Sequence, residues 1–288
     1  MSAHNCAITR SLIPDSPCAP DIFEMSNDLK LIVTTSRLAH TTTRALAKRK
    51  AADWGFPYVE RSDRSIELVL KGVGDHAGVD ADSAFVFRND GMLLSTARTQ
   101  LRFDLGTAAL RLLSMARGDG DLLIRAGEII AGDRVFDATL GLGRDALVAA
   151  RAIGPGGEVV GVESNLALFT LVSEGLASHD EGVEGATITP VLGDSRKILS
   201  STDDASFDVV VIDPMFSLPG KSDGNFEALR EFADPGGLDP EWIQQARWVA
   251  KRWVVAKASY EEPWFSSEGL QRIPGMGRSR WWRASGRG

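Results

Sequence analysis

A short apolar run, Val135-Phe136, ends in Asp137 and turns through Gly141 and Gly143 into Arg144-Asp145-Ala146, where a helical pattern begins. Two glycines in three residues let the backbone take positive φ and lie directly against a ligand. A helix starting there also offers N–H groups that have no partner in its own ladder. Strand, glycine turn and helix in that order predict an α/β sheet with a nucleotide cofactor at the carboxyl ends of its strands. An ordinary strand-to-helix turn uses the same glycines, so the rest of the pattern has to decide.

From Arg134 onward strands and helices alternate. Strands are expected over 159–163, 187–192, 207–213 and 252–258, and helices over 144–153, 166–178 and 240–251. Short connections between alternating elements predict a Rossmann-like, doubly wound parallel sheet. The stretch 207–213 is apolar almost throughout, as a central strand covered on both faces must be. Asp239-Pro240 supplies an N-cap and a proline at the first helical position of the last helix.

Upstream, residues 26–103 predict a small α+β module. It would hold a strand over Leu29–Thr35, a helix over 37–53 stopped by Gly55 and Pro57, and strands over Ser65–Lys71, Ala84–Arg88 and Met92–Ser95. Asn89-Asp90-Gly91 reads as a tight hairpin. Asp104 is placed to cap a helix over 105–117, and a second helix over 121–131 leads into a domain spanning 104–288. Residues 1–25 are expected to be a disordered tail, with Met25 an alternative start.

The two cysteines, Cys6 and Cys18, lie in that tail and make neither a disulfide framework nor a metal site. The four histidines lack metal-ligand spacing, so no metal is expected. No run of eighteen apolar residues and no signal-peptide pattern occurs, and a cytoplasmic location without membrane attachment is expected. A net charge of −7 argues against coating nucleic acid, yet cations are locally concentrated. Residues 269–288 contain five arginines and no acid, with Trp281 and Trp282 among them, and Arg44, Lys48, Arg49 and Lys50 share the first helix. Arginine beside aromatics suits phosphate pairing and base stacking, so both segments are candidate RNA contacts, although either also reads as a solvated surface.

Four strand ends carry candidate chemistry. Asp137, Gly141 and Gly143, completed by Arg144 and Asp145, suit the amino-acid part of S-adenosylmethionine (SAM), whose ammonium needs an acid and whose carboxylate needs N–H donors. Glu163, twenty residues beyond Gly143, suits the ribose hydroxyls, and Asp194-Ser195 suits the adenine amine. The same glycine spacing with Ala146 and Glu163 matches a dinucleotide fingerprint, leaving an NAD-type oxidoreductase as the rival. Asp137, four residues before the first glycine, and Asp213-Pro214-Met215-Phe216 after a later strand favour SAM.

Asp-Pro-Met-Phe resembles the Asp/Asn-Pro-Pro-Tyr/Phe motif of enzymes that methylate planar exocyclic amines. An aryl amine has its lone pair delocalised into the ring. Acceptors for its N–H groups localise that pair, a role suited to Asp213 and the Pro214 carbonyl, while Phe216 would stack on the base and the proline would keep the acceptors aligned. With residues 137–146, Val162-Glu-Ser-Asn165, Gly237-Leu-Asp-Pro240 and 251–263, the chain resembles the RsmJ-type small-subunit ribosomal RNA guanine-N2 methyltransferases over roughly 130–265. That resemblance implies a class I methyltransferase sheet that uses SAM. It also implies cofactor contacts at Arg144, Asp145, Glu163, Ser164, Asp194, Ser195 and Asp213, with Lys257 near the site. A methyltransferase of a small molecule or a protein, and a non-catalytic ribosome-assembly module, remain as alternatives.

Overall fold

The computed structural model describes residues 30–73, 80–179, 185–215, 224–232 (224–227 as backbone only), 236–258, 261–275 and 280–287. The expected tail and Phe216 lie outside the described residues. The chain divides into two compact units.

The described part of the first unit is 30–103 with 224–232. It runs β1 (Leu31–Thr35), α1 (Thr41–Trp54), α2 (Ile66–Leu70), β2 (Ser83–Arg88), β3 (Gly91–Ser95) and β4 (Gln100–Leu101), in a sheet ordered β1-β2-β3-β4. β1 is parallel to β2, and the other pairs are antiparallel. Ile32, Val69, Leu70, Ala84, Val86 and Leu93 form the core. α1 ends where Gly55 takes φ 74°, a left-handed conformation that glycine adopts without strain. The pairing of Arg88 with Gly91 leaves Asn89-Asp90 as a two-residue hairpin turn.

The expected strand over Ser65–Lys71 is instead helix α2. Ser65 Oγ accepts the Leu68 N–H, and Lys71 reaches back four residues to Glu67 at 2.6 Å, so local capping overrides the apolar alternation. Helix Gly224–Phe232 belongs to this unit too, burying Ala228, Leu229 and Phe232. Its Glu231 accepts hydrogen bonds from Thr96 and Thr99.

The second unit continues with α3 (Thr107–Ala116), α4 (Leu122–Gly127), β5 (Arg134–Asp137), α5 (Arg144–Ile153), β6 (Glu158–Glu163), α6 (Leu166–His179), β7 (Thr187–Leu192), α7 (Ser195–Ser200) and β8 (Phe207–Ile212). With Gly224–Phe232 counted as α8, there follow α9 (Pro240–Val249), β9 (Ala250–Ala258), β10 (Gln271–Arg272) and β11 (Arg280–Ser285). The strands are ordered β10-β11-β9-β8-β5-β6-β7. The chain winds outward from β5 to β7 and then returns to β8 on the other side of β5. The strand order therefore reverses between β5 and β8, where sheets of this kind open a crevice at their carboxyl ends.

The sheet is mixed rather than wholly parallel. β11 pairs antiparallel with β9 and β10. Within the candidate RNA-contact segment 269–288 this corrects the part given to the tryptophans, because Trp281 and Trp282 are only 5% and 2% exposed and are not open to stack on a base. Trp282 packs edge-on against Phe265 at 4.8 Å, and burying two indoles in the core outweighs leaving them in water for a partner.

Two upstream helices are shorter than expected. Asp104 is not the N-cap of α3, which starts after Gly106, and the Asp104 carboxylate pairs with Arg144 at 2.7 Å. The second helix stops at Gly127 because Glu128 turns left-handed (φ 48°) and commits its side chain to Arg283 and the Trp253 indole N–H. Among the described residues no helix is long and apolar enough to cross a membrane.

Candidate active site

Hydrogen bonds run in a row across the carboxyl edge of the sheet. Past β7, the Gly193 N–H donates to the Glu163 carbonyl at 3.0 Å. The Glu163 carboxylate, ending β6, accepts the Asn165 N–H at 2.8 Å on one oxygen and the Gly141 N–H at 3.1 Å on the other. Asp137, ending β5, accepts the Thr139 N–H at 3.0 Å. Thr139 Oγ1 in turn accepts the N–H of Asp213, just past β8, at 2.7 Å. Asp213 Oδ2 takes the Lys257 ammonium of β9 at 2.5 Å, and that ammonium lies 5.1 Å over the Trp281 ring of β11.

The glycine turn is shaped for close approach. Gly141 and Gly143 take φ 53° and 73°, and the first ladder bond of α5 runs from the Leu147 N–H to the Gly143 carbonyl. The N–H groups of Arg144, Asp145 and Ala146 thus precede the ladder and face the crevice end of the helix. Arg144 donates one arm to Asp104, while its buried Nε has no hydrogen-bond partner. A Cβ at Gly106 would collide with this guanidinium, so the glycine there makes room for it.

Acids are concentrated here. Asp145 pairs with Arg111, whose other arms hold Asp121 at 2.7 and 2.9 Å. Burial, with the Asp145 charge added to it, pushes the Asp137 carboxyl up to about 7. Burial also raises Asp213, opposed by Lys257. For Lys257, burial works to lower the ammonium, but Asp213 and Asp145 overcome it and leave it above its ordinary value.

The structure brings Asp137, Gly141, Gly143, Glu163, Asp213 and Lys257 into one row, with Arg144 and Asp145 at the helix start beside it. Pro214 is buried directly after Asp213, and Ser164 sits in the turn between Glu163 and Asn165. Asp194 spends Oδ1 on capping α7 through the Arg196 N–H at 2.9 Å, and Ser195 is buried behind it. Sequence reasoning missed Thr139, Arg111 and Trp281. Thr139 and Arg111 carried no periodic or motif signal of their own, and Trp281 was read as surface.

The sequence model of the family described as "Putative SAM-dependent methyltransferase" matches residues 87–273. The chain belongs to this methyltransferase family. It is 31% identical to YpiP of Bacillus subtilis over 83% of this chain and 93% of that one. It is 33% identical to ribosomal RNA small subunit methyltransferase J of Thioalkalivibrio sulfidiphilus over 69% of this chain and 84% of that one. The SAM-dependent methyltransferase NGO1261 of Neisseria gonorrhoeae shares the fold, with a TM-score of 0.56 and 20% identity over 89% of this chain and 96% of that chain.

SAM is the cofactor of this methyltransferase, and it supplies an electrophilic methyl group on a sulfonium sulfur. The residues present fit it on a specific observation: the buried Arg144 Nε lacks an acceptor beside the open N–H groups of α5, which is the donor set an amino-acid carboxylate takes. The Glu163 carboxylate, placed at the end of β6, accepts the Gly141 and Asn165 N–H groups, one on each oxygen.

Proposed function

We propose that this SAM-dependent methyltransferase methylates the exocyclic amine of a guanine in small-subunit ribosomal RNA. The observation that carries the reading is Asp213-Pro214 at the strand end where the sheet order reverses, with the Asp213 N–H fixed by Thr139 and its carboxylate by Lys257. An ionised Asp213 and the Pro214 carbonyl accept the two N–H bonds of the amine, and Phe216 stacks on the base. This localises the nitrogen lone pair toward the methyl donor. Relatives named ribosomal RNA small subunit methyltransferase J support the choice of substrate.

In the same reading Asp137, Gly141, Gly143, Arg144 and Asp145 hold the methionine part of SAM. Glu163 and Ser164 hold the ribose, and Asp194 and Ser195 hold the adenine. RNA contact falls to the first unit, where Lys48 and Arg49 are exposed on α1 while Arg44 is paired with Glu60. The C-terminal arginines contribute less, since Arg283 is held by Glu128 and stacked on Trp253 at 4.1 Å. A cytoplasmic location accompanies this substrate.

The test is mass spectrometry of nucleosides from small-subunit rRNA of a deletion strain beside its parent, with site mapping. Loss of one N2-methylguanosine, restored by the wild-type gene but not by Asp213→Ala, is the expected result. Unchanged rRNA overturns the substrate while leaving the SAM chemistry standing.

A further inference from the structure

Asp213 and Lys257 each stand one residue beyond the paired Ile212 and Ala256 of parallel strands β8 and β9. Their side chains meet at 2.5 Å. Lys257 is itself the antiparallel partner of Trp281 on β11, so its side chain and the indole lie on the same face of the sheet. The ammonium is held between a carboxylate on one side and an aromatic face 5.1 Å away on the other. Trp281 is 5% exposed, so its ring has no freedom to leave. A lysine has four rotatable bonds and needs such a constraint to stay in one place.

We infer that Trp281 is a positioning residue of the transfer reaction, its indole face holding the Lys257 ammonium against Asp213. This rests on the acceptor role proposed for Asp213. A partly buried carboxylate among acids tends to take up a proton, and a protonated Asp213 is a much weaker acceptor for its amine N–H than the carboxylate. Lys257 keeps it ionised only while the ammonium stays beside it. The other charged groups facing the pair are Asp145 and Asp137, which favour protonation, and Arg111, which opposes it. Of these groups Lys257 is the one that hydrogen-bonds to Asp213. The indole thus gives the antiparallel strand β11, which contributes no acid or base to the row, a part in the chemistry.

The arrangement is read first without substrate, in the full-length protein. In the wild type, the ε-methylene protons of Lys257, assigned by their loss in Lys257→Arg, are shifted upfield by the ring current of Trp281. Random-coil shifts there overturn the inference. In Trp281→Leu the Asp213 carboxyl, followed by carbon-13 detection, titrates about one pH unit higher, while Trp281→Phe, which keeps an aromatic face, moves it less.

With rRNA from the deletion strain as substrate, kcat of Trp281→Leu falls about twofold at pH 7 and nearly tenfold at pH 5, and recovers fully as the pH rises further, at unchanged KM. A loss of kcat uniform in pH, with the Asp213 titration unmoved, means that Trp281 only packs, and overturns the inference. Should Trp281→Leu not fold, the wild-type ring-current shift and the Trp281→Phe titration decide. A wild-type enzyme that shows the shifted Lys257 signal and leaves this RNA unmethylated overturns the proposed substrate, not the hold on Lys257.

Discussion

Thr139 Oγ1 accepts the Asp213 N–H at 2.7 Å while its own hydroxyl points to Asp137 Oδ1 at 3.4 Å, so one side chain sets the spacing of two acids on neighbouring strands. The tie carries a prediction about geometry as much as stability. Thr139→Val keeps the shape but strands the Asp213 N–H, costing about 1–3 kcal/mol in urea unfolding and lowering kcat, whereas Thr139→Ser stays near wild type. Equal behaviour of the two variants would remove Thr139 from any positioning role.

Asp137 makes stability and cofactor affinity depend on pH in opposite directions. Its folded-state value of about 7 lies above the ordinary 3.8, so the folded protein binds the extra proton and stability falls as the pH rises from about 4 through about 7. Asp137→Asn removes that fall and stabilises the free protein at pH 8 by roughly 2–4 kcal/mol. With Asp137 in its proposed role as acceptor of the cofactor's ammonium, SAM affinity in the wild type rises over the same interval. Calorimetry in buffers of different ionisation heat should show proton release on binding near pH 6, absent in Asp137→Asn.

Gly161 on β6 lies beneath the glycine turn. A Cβ there would stand 2.5 Å from Leu140 Cδ1, and the Leu140 N–H is bonded to the Val162 carbonyl. Gly161→Ala therefore lifts the turn and weakens SAM binding by about tenfold or more, with a stability loss of about 1–3 kcal/mol. Unchanged SAM affinity, measured by calorimetry, would show the turn to be more compliant than its packing implies.

Lys48 and Arg49 provide a test of RNA contact that does not involve the reaction centre. Replacing each with Glu lowers affinity for small-subunit RNA and reduces the slope of log affinity against log salt by about 1 per cation removed. SAM binding stays the same. A slope indifferent to both changes would move the RNA elsewhere.

Much of the sheet could be read from the chain because its signals are local. Asp239-Pro240 marks the start of α9, with Asp239 Oδ1 on the Trp242 N–H at 2.8 Å, and Gly143 marks the start of α5. The unbroken apolar run of β8 marks a central strand. Asp137 and Glu163 were legible because each ends a strand, Asp213 because it directly follows one, and the glycines because they turn β5 into a helix. What was not legible depends on distant partners. Nothing near Arg280–Ser285 says that Lys257, twenty-four residues earlier, pairs with Trp281, and an Arg-Trp-Trp-Arg run suits a surface as well as an edge of the core. Asp104 looks like a cap until Arg144 is brought beside it, and Thr139 looks like a turn residue until β8 arrives.

The helix Gly224–Phe232 lies between β8 and α9 in the chain, yet it belongs with residues 30–103, where Glu231 joins Thr96 and Thr99. No single cut separates the two units. Recombination at one crossover near 103 would part this helix from the threonines that hold it and leave Ala228, Leu229 and Phe232 without their cover. Any exchange of the first unit between relatives must therefore carry two separate stretches of chain at once.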